Sequence, residues 1–130
     1  MSAASLRARY LGDTVTTVSP QRLLVMLYDR LALDLERGEE ALVASDRQAA
    51  NDYLRNAQAI VFELRESLQV DAWEGGPRLA ALYSWLISEL VLANVQGSVR
   101  KVADCRRIVE PLREAWHEAA ATLAAASASA

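Results

Sequence analysis

Residues 19–35 read Ser19-Pro20-Gln21-Arg22-Leu23-Leu24-Val25-Met26-Leu27-Tyr28-Asp29-Arg30-Leu31-Ala32-Leu33-Asp34-Leu35, and this stretch decides the fold. Ser19 is a preferred helix N-cap, and Pro20 at the first helical position loses no hydrogen bond. Apolar residues recur at steps of three and four, and further apolar residues widen this stripe beyond the usual face of a surface helix. The stretch therefore predicts a helix with one flank in a core and another flank against a second surface.

The rest of the chain predicts three more amphipathic helices. Ser45-Asp46, Gly75-Gly76 and Gly97-Ser98 are residue pairs typical of helix ends, turns and caps. The first three helices are expected at about 20–44, 47–68 and 77–95, and the fourth carries its apolar positions from Val102 to Leu123. Short connections and the absence of strand-like alternation favour an all-α, antiparallel four-helix bundle.

The chain divides into three predicted parts. Residues 1–18 lack sustained helical periodicity and are expected to form a mobile N-terminal arm. Residues 19–123 form the bundle domain, and the alanine- and serine-rich residues 124–130 are expected to be disordered. Pro111 interrupts the fourth helical pattern, which predicts a bend near Arg107 or a shortened helix.

Composition excludes several classes of partner. The chain has 130 residues and a formal net charge of −3, so it lacks the basic field that nucleic acid or an anionic membrane surface demands. A single cysteine gives no internal disulfide, and no secretory signal peptide is recognisable. No uninterrupted apolar run approaches the roughly 20 residues of a bilayer span. These features predict a cytoplasmic protein without membrane insertion.

The sequence offers little catalytic chemistry. It has one histidine, one cysteine and no glycine-rich phosphate loop. Glu114 and His117 have the Glu-x-x-His spacing of di-iron bundles, but such sites need a second motif and two further glutamates. Cys105 lies on the apolar stripe of the fourth helix and is interpreted as a small buried hydrophobe. We therefore assign no catalytic, cofactor-binding or metal-binding residue and predict a protein that is not an enzyme.

The wide apolar faces of the first three helices leave two functions open. One is a structural bundle whose surplus apolar surface forms a permanent homodimer, and the other is a docking groove for a helix of another protein. Asn56 and Asn94 stand in strongly apolar helices. They are either surface or helix-end residues, or side-chain amides that bind the backbone of a docked peptide.

Several motifs resemble the FliS family of flagellar export chaperones over almost the whole chain. They are Tyr10, Ser19-Pro20-x-x-Leu23-x-x-Met26-Leu27-Tyr28-Asp29, Leu54-x-x-Ala57-x-x-Ile60-x-x-x-Leu64-x-x-Ser67-Leu68, Gly75-Gly76, Leu82-Tyr83-x-Trp85, Leu90-x-x-Ala93-Asn94 and Leu112-Arg113-x-Ala115-Trp116. Their order and spacing carry the resemblance. Ser88-Glu89 replaces the basic pair that the family usually has before Leu-x-x-Ala-Asn, and Pro111 is the second departure.

The resemblance implies a bundle that binds the disordered C-terminal segment of flagellin, prevents its premature polymerisation and presents it to the export apparatus. Some members of the family also bind flagellin-regulating factors. The resemblance further implies that the N-terminal arm covers part of the groove, with Tyr10 and Leu11 as its gate. The expected groove residues are Asn56, Ile60, Leu64, Tyr83, Leu86, Leu90 and Asn94.

Overall fold

The fold is known from a computed structural model, which describes residues 19–129. These residues form helices α1 (Pro20–Val43), α2 (Arg47–Ser67), α3 (Gly76–Gln96) and α4 (Val99–Ser129), with a short 3-10 helix (Val70–Ala72) between α2 and α3. No strand occurs within residues 19–129, and the all-α prediction is confirmed. The predictions for the arm, including Tyr10 and Leu11, lie outside the described residues.

The predicted helix starts are confirmed by their caps. The Oγ atom of Ser19 accepts a hydrogen bond from Arg22 N at 3.2 Å. Asp46 Oδ1 accepts from Ala49 N at 3.1 Å, and Ser98 Oγ accepts from Lys101 N at 3.2 Å. Each side-chain oxygen satisfies one of the backbone N–H groups that a helix leaves without an intrahelical partner. The caps explain why these helix starts could be placed from sequence.

Two helix ends require a left-handed backbone conformation. Gly97 follows α3 with φ of 62°, and Ser98 N donates to Ala93 O at 2.9 Å. Ser45 follows α1 with φ of 59°, and Asp46 N donates to Ala41 O at 2.8 Å. Both ends are Schellman motifs, in which the left-handed residue turns the chain so that later N–H groups satisfy the last helical carbonyls. Glycine adopts this conformation freely, whereas Ser45 is strained by its Cβ.

The four helices pack as a square, in which α1 and α3 each lie against both α2 and α4. Along the α1–α4 seam, Asp29 contacts Arg113 and the later Glu39 contacts the earlier Arg106. Along the α1–α2 seam, Asp34 contacts Asn56 and the later Gly38 lies beside the earlier Leu54. The bundle is therefore antiparallel, as predicted. Its core consists of apolar side chains from all four helices: Leu27, Tyr28, Leu31, Leu35, Ala41, Leu42, Ala50, Leu54, Ala57, Ile60, Val61, Leu64, Leu79, Tyr83, Leu86, Leu90, Ala93, Val102, Cys105 and Val109.

A tyrosine pair crosses the centre of this core. Tyr28 on α1 and Tyr83 on α3 are 0% and 2% exposed, and their hydroxyl oxygens lie 2.7 Å apart in a hydrogen bond. Burial raises the pKa of both phenols, which therefore stay neutral. The ring of Trp116 on α4 lies beside Tyr28, with ring centroids 6.4 Å apart. The pair links the two helices that do not pack side by side in the square.

Helix α4 differs from two expectations. It continues through Pro111 without the predicted shortening, and both Pro111 and Arg107, the residue whose carbonyl loses its helical partner, are exposed residues. The helix also runs to Ser129, whereas residues 124–130 were expected to be disordered. Alanine has the highest intrinsic helix propensity, so helix can propagate beyond Leu123 without packing against the core.

Candidate functional site

Helix α3 carries apolar side chains on two faces. Its core face holds Leu79, Tyr83, Leu86, Leu90 and Ala93. Four large apolar residues elsewhere on the helix remain open to solvent, with exposures of 41% for Trp85, 43% for Val91, 41% for Leu92 and 73% for Val95. We call these four residues the α3 patch. They have no role in the core, so the patch is the feature of the bundle that the fold itself does not explain.

The apolar character of α3 also meets a simple membrane criterion. Among residues 19–129, only the helix Gly76–Gln96 is long and apolar enough to cross a bilayer, and 28% of the residues in its most apolar segment are buried inside the bundle. Core helices of bundles meet the same criterion. Because one face of α3 packs in the core with the other three helices, we assign it as a bundle helix with an exposed apolar surface.

An open cleft lies beside α3, on the outer side of α2. It is lined by Asp52, Arg55, Asn56, Gln58, Ala59, Phe62 and Ile87 and encloses about 490 Å³. We call it the α2–α3 cleft. Phe62 is 40% exposed, and the guanidinium of Arg65 lies 5.0 Å from its ring centroid in a cation–π contact. The cleft lining combines the half-exposed apolar side chain of Phe62 with several polar side chains, a composition found in binding surfaces.

Five of the seven expected groove residues are buried in the core. Ile60 and Leu90 are 0% exposed, and Leu64, Tyr83 and Leu86 are at most 2% exposed. Their helical spacing correctly predicted an apolar stripe, but this stripe packs against the other helices and forms the core of the bundle. In this conformation they do not line an open groove. The exposed apolar residues of α3 lie on its other faces.

The two expected asparagines are partly exposed and make different contacts. Asn94 Nδ2 donates to Asn51 Oδ1 at 2.8 Å, and the backbone carbonyl oxygen of Asn94 accepts from Arg47 at 2.9 Å. These bonds join the C-terminal end of α3 to the start of α2. Asn56 instead faces α1, where its Nδ2 donates to Asp34 Oδ2. Of the two, Asn56 lines the α2–α3 cleft.

Asp34 is a carboxylate with no exposed surface. Burial raises its pKa, and hydrogen bonds from Asn56 and Arg30 together with the charge of Arg37 oppose that shift. Arg30 Nε donates to Oδ2 at 3.3 Å and lies 3.2 Å from Oδ1. Within residues 19–129, Oδ1 itself accepts no hydrogen bond. The charge of Arg30 therefore pairs with both oxygens, while Oδ1 lacks a hydrogen bond of good geometry, and a buried ion pair of this kind gives the fold little net stability.

Asp34 was missed by the sequence analysis, although a signal was present. It follows Leu31 by three residues and Leu27 by seven, so helical periodicity places it on the buried stripe. A charged residue on such a stripe predicts a polar partner on the facing helix. Asn56 is that partner, and it too was a polar residue within an apolar pattern.

A second polar cluster joins α1 to α4. Asp29 Oδ1 lies 2.6 Å from His117 Nε2 and 2.7 Å from Arg113 Nε. Burial alone would raise the pKa of Asp29, but hydrogen bonds from His117 and Arg113 outweigh it and lower the pKa. His117 is thus paired with Asp29, and within residues 19–129 no three His, Cys, Asp or Glu side chains are grouped to hold a metal ion.

The fold and these surfaces define a class: an antiparallel helical bundle that presents apolar side chains for binding another protein. The family model "Flagellar protein FliS" matches residues 2–123. The chain therefore belongs to the FliS family, and its general role is that of a flagellar export chaperone.

Known relatives agree with this assignment. The flagellar secretion chaperone FliS of Bacillus subtilis (strain 168) is 28% identical over 110 residues, which cover 85% of this chain and 82% of the relative. The protein of the same name from Escherichia coli (strain K12) is 29% identical over 108 residues, covering 82% and 79%. A bacterial flagellar chaperone of known crystal structure matches the fold with a TM-score of 0.72 at 20% identity, over 92% of this chain and 98% of the other.

Proposed function

We propose that this chaperone binds the disordered C-terminal segment of flagellin in the cytoplasm, prevents premature polymerisation and delivers the client to the export apparatus. The observation that carries the proposal is the α3 patch, a set of large apolar side chains that the bundle leaves exposed. The names of the relatives, flagellar secretion chaperones, support a secreted client. Binding of this kind requires no cofactor and no catalysis.

Helix-in-groove recognition fits the exposed surfaces. A disordered client loses conformational entropy when it becomes helical, and burial of apolar area must offset that loss. Trp85, Leu92 and Val95 offer such area on α3, and Phe62 offers it in the α2–α3 cleft. Asn56 supplies a polar contact at the cleft. The five buried residues of the expected groove act indirectly, because they fix the helices that present these surfaces.

The arm enters the proposal as a gate. We expect Tyr10 and Leu11 to compete with the client for part of its surface, as the family resemblance implies. Tyr10→Ala should therefore leave the free energy of unfolding nearly unchanged and increase affinity for the client. Equal or weaker binding by this variant would argue against the gate while leaving client binding itself intact.

The test is titration of the full chain with a synthetic peptide of the last roughly 40 residues of flagellin from the same organism, long enough for several helical turns. Calorimetry and circular dichroism should show one-to-one binding, a gain of helix and a negative heat-capacity change. Sedimentation at several protein concentrations tests the competing structural function. A dimer at every concentration together with no peptide binding would refute the chaperone proposal and assign the apolar surface to a homodimer.

A matched pair of variants localises the site. Val95→Ser removes an apolar side chain of the α3 patch that is 73% exposed, and Val43→Ser removes one that is 70% exposed at the end of α1. Burial of a valine contributes about 1.5 kcal/mol, so Val95→Ser should weaken peptide binding about tenfold. Val43→Ser should leave the affinity unchanged. Equal effects of the two substitutions would contradict the placement of the client on α3.

A further inference from the structure

The buried carboxylate of Asp34 on α1 accepts a hydrogen bond from Asn56, a residue that lines the α2–α3 cleft, and it thereby restricts the orientation of that residue. Asp34 accepts hydrogen bonds from Arg30 and Asn56, and an ionised carboxylate can only accept. The Asn56 side chain must therefore turn its NH2 group towards Asp34. Because the amide is planar, its carbonyl oxygen Oδ1 points away from the carboxylate.

Asn56 lines the cleft, and within residues 19–129 no group donates a hydrogen bond to its Oδ1 atom. The carboxylate of Asp52 lines the same cleft one turn earlier on α2. The cleft is thus lined by two residues with acceptor oxygens, Asn56 and Asp52, beside the apolar side chains of Ala59, Phe62 and Ile87. Asp52 Oδ1 already accepts a hydrogen bond from Gln48 Nε2 at 3.2 Å, which leaves Oδ2 as its second acceptor.

These acceptors match one feature of a client that becomes helical on binding. The first four N–H groups of a helix have no intrahelical acceptor, and the N-terminal end carries a partial positive charge. An asparagine oxygen is among the best acceptors for these groups, and the charge of Asp52 complements the positive end. Arg55 on the rim opposes this attraction, so the fixed oxygen of Asn56, rather than net charge, provides the specificity.

A purely structural role explains Asp34 poorly. An apolar pair in place of Asp34 and Asn56 would avoid the cost of desolvating a charge, and replacement of buried polar groups by apolar ones is often stabilising. Asp34 Oδ1 is paired with Arg30 Nε at 3.2 Å but accepts no hydrogen bond within residues 19–129. The contact with Asn56 therefore adds little that an apolar pair would not, and it defines the orientation of a cleft residue.

We propose that the α2–α3 cleft caps the N-terminal turn of a client helix, with Asn56 Oδ1 accepting a client backbone N–H and Asp34 acting as the positioning residue for Asn56. This inference rests on the proposed function, because it specifies how one helix of the flagellin segment is held. The source of the N–H groups is the client peptide, and residues following that turn pack on Phe62 and Ile87.

The central experiment compares Asp34→Asn with the wild-type chain in the peptide titration described above. Asparagine at position 34 can donate as well as accept, so Asn56 is no longer restricted to one orientation. We expect peptide affinity to fall about three- to tenfold, the equivalent of one hydrogen bond, while the melting temperature of the free chain stays equal or rises. Asp71→Asn makes the same charge change at an exposed residue of the short 3-10 helix and should leave both quantities unchanged.

Asn56→Leu completes a double-mutant cycle. It should weaken binding by a similar factor, and Asp34→Asn should then have no further effect because there is no amide left to orient. Independent effects of the two substitutions would overturn the positioning role. If Asp34→Asn does not fold, Asn56→Leu carries the test alone, since unchanged affinity would show that the cleft does not cap the client.

The remaining outcomes are also decisive. If the wild-type chain and the Asp34→Asn variant bind the peptide with equal affinity, this inference is overturned and the proposed function still stands. A fall in affinity that is accompanied by a matching fall in melting temperature would assign Asp34 to the fold. No peptide binding by the wild-type chain would refute the proposed function, and this inference with it.

Discussion

The tyrosine pair at the centre of the bundle allows a sharp test of the core. Tyr28 and Tyr83 share a hydrogen bond of 2.7 Å, the usual length for two hydroxyl groups, and both are buried. Tyr83→Phe keeps the ring and deletes one hydroxyl, so it creates almost no cavity. The hydroxyl of Tyr28 then stays in the core without its partner. The stability change therefore reports the cost of an unsatisfied buried group.

The expected magnitudes follow from that cost. An orphaned buried hydroxyl costs about 1–3 kcal/mol, so Tyr83→Phe and Tyr28→Phe should each lower the free energy of unfolding by about 2 kcal/mol. Additive effects would give about 4 kcal/mol for the double variant. Removal of both hydroxyls leaves no unpaired tyrosine hydroxyl, while the buried Trp116 Nε1 beside Tyr28 lacks a hydrogen-bond partner within residues 19–129 already in the wild-type chain. Replacement of both partners of a hydrogen bond by apolar groups is nearly neutral. We therefore expect a loss of about 1 kcal/mol or less for the double variant.

Urea denaturation followed by far-ultraviolet circular dichroism measures these values, provided that the slope with denaturant stays the same for all variants. Tyr53→Phe is the matched control, because Tyr53 is half-buried on α2 and its hydroxyl has no hydrogen-bond partner within residues 19–129. Its effect should stay within about 0.5 kcal/mol. A double variant that loses the sum of the two single effects would refute the coupling between the hydroxyls.

Three further predictions concern single sites. Ser45→Gly should raise the free energy of unfolding by about 1 kcal/mol in thermal or urea denaturation, because Ser45 has φ of 59°; a destabilised variant would disprove strain at this turn. Burial alone would raise the pKa of Asp29, but hydrogen bonds from His117 and Arg113 lower this pKa below its usual 3.8. The ionised Asp29 therefore stabilises the fold above pH 3.8, and this stabilisation is lost as the pH falls through the lowered pKa. Asp29→Asn should thus reduce the melting temperature at pH 6, by an amount equivalent to less than about 1 kcal/mol because the side chain is partly exposed. The difference in melting temperature from the wild-type chain should disappear in strong acid, and a constant difference at all pH values would contradict this prediction. Burial raises the pKa of the Cys105 thiol to about 12, so a thiol reagent should modify it at pH 8 only after denaturation, and rapid labelling of the folded chain would show that the site is open.

Sequence placed the helices well because their ends are determined by local chemistry. Ser19, Asp46 and Ser98 cap the helix starts that they predicted, and Gly97 has the left-handed conformation expected at a helix end. These signals involve residues within four positions of each other and need no knowledge of tertiary packing. The same is true of the apolar stripe of each helix. The fold class and the bounds of α1, α2 and α3 were accordingly predictable to within one or two residues, whereas the C-terminal end of α4 was expected about six residues too early.

The candidate site was less predictable because it depends on which stripe the bundle uses. Leu86 and Trp85 are adjacent in sequence, yet one is 1% exposed and the other 41% exposed. Both belong to a wide apolar arc, and periodicity cannot tell which side of that arc faces the other helices. The pairing of Asp34 with Asn56 also depends on the α1–α2 register, which joins positions 22 residues apart.

This division between core and surface changes how binding studies on the protein are interpreted. Substitution of Ile60, Leu64 or Leu90 removes buried side chains and should reduce stability by about 2–5 kcal/mol for alanine, so any loss of client binding would reflect unfolding. Substitution of Trp85 or Val95 removes side chains that the core does not use, and affinity can fall without a loss of stability. Client binding by α3 is therefore established only by variants of its exposed face whose melting temperature equals that of the wild-type chain.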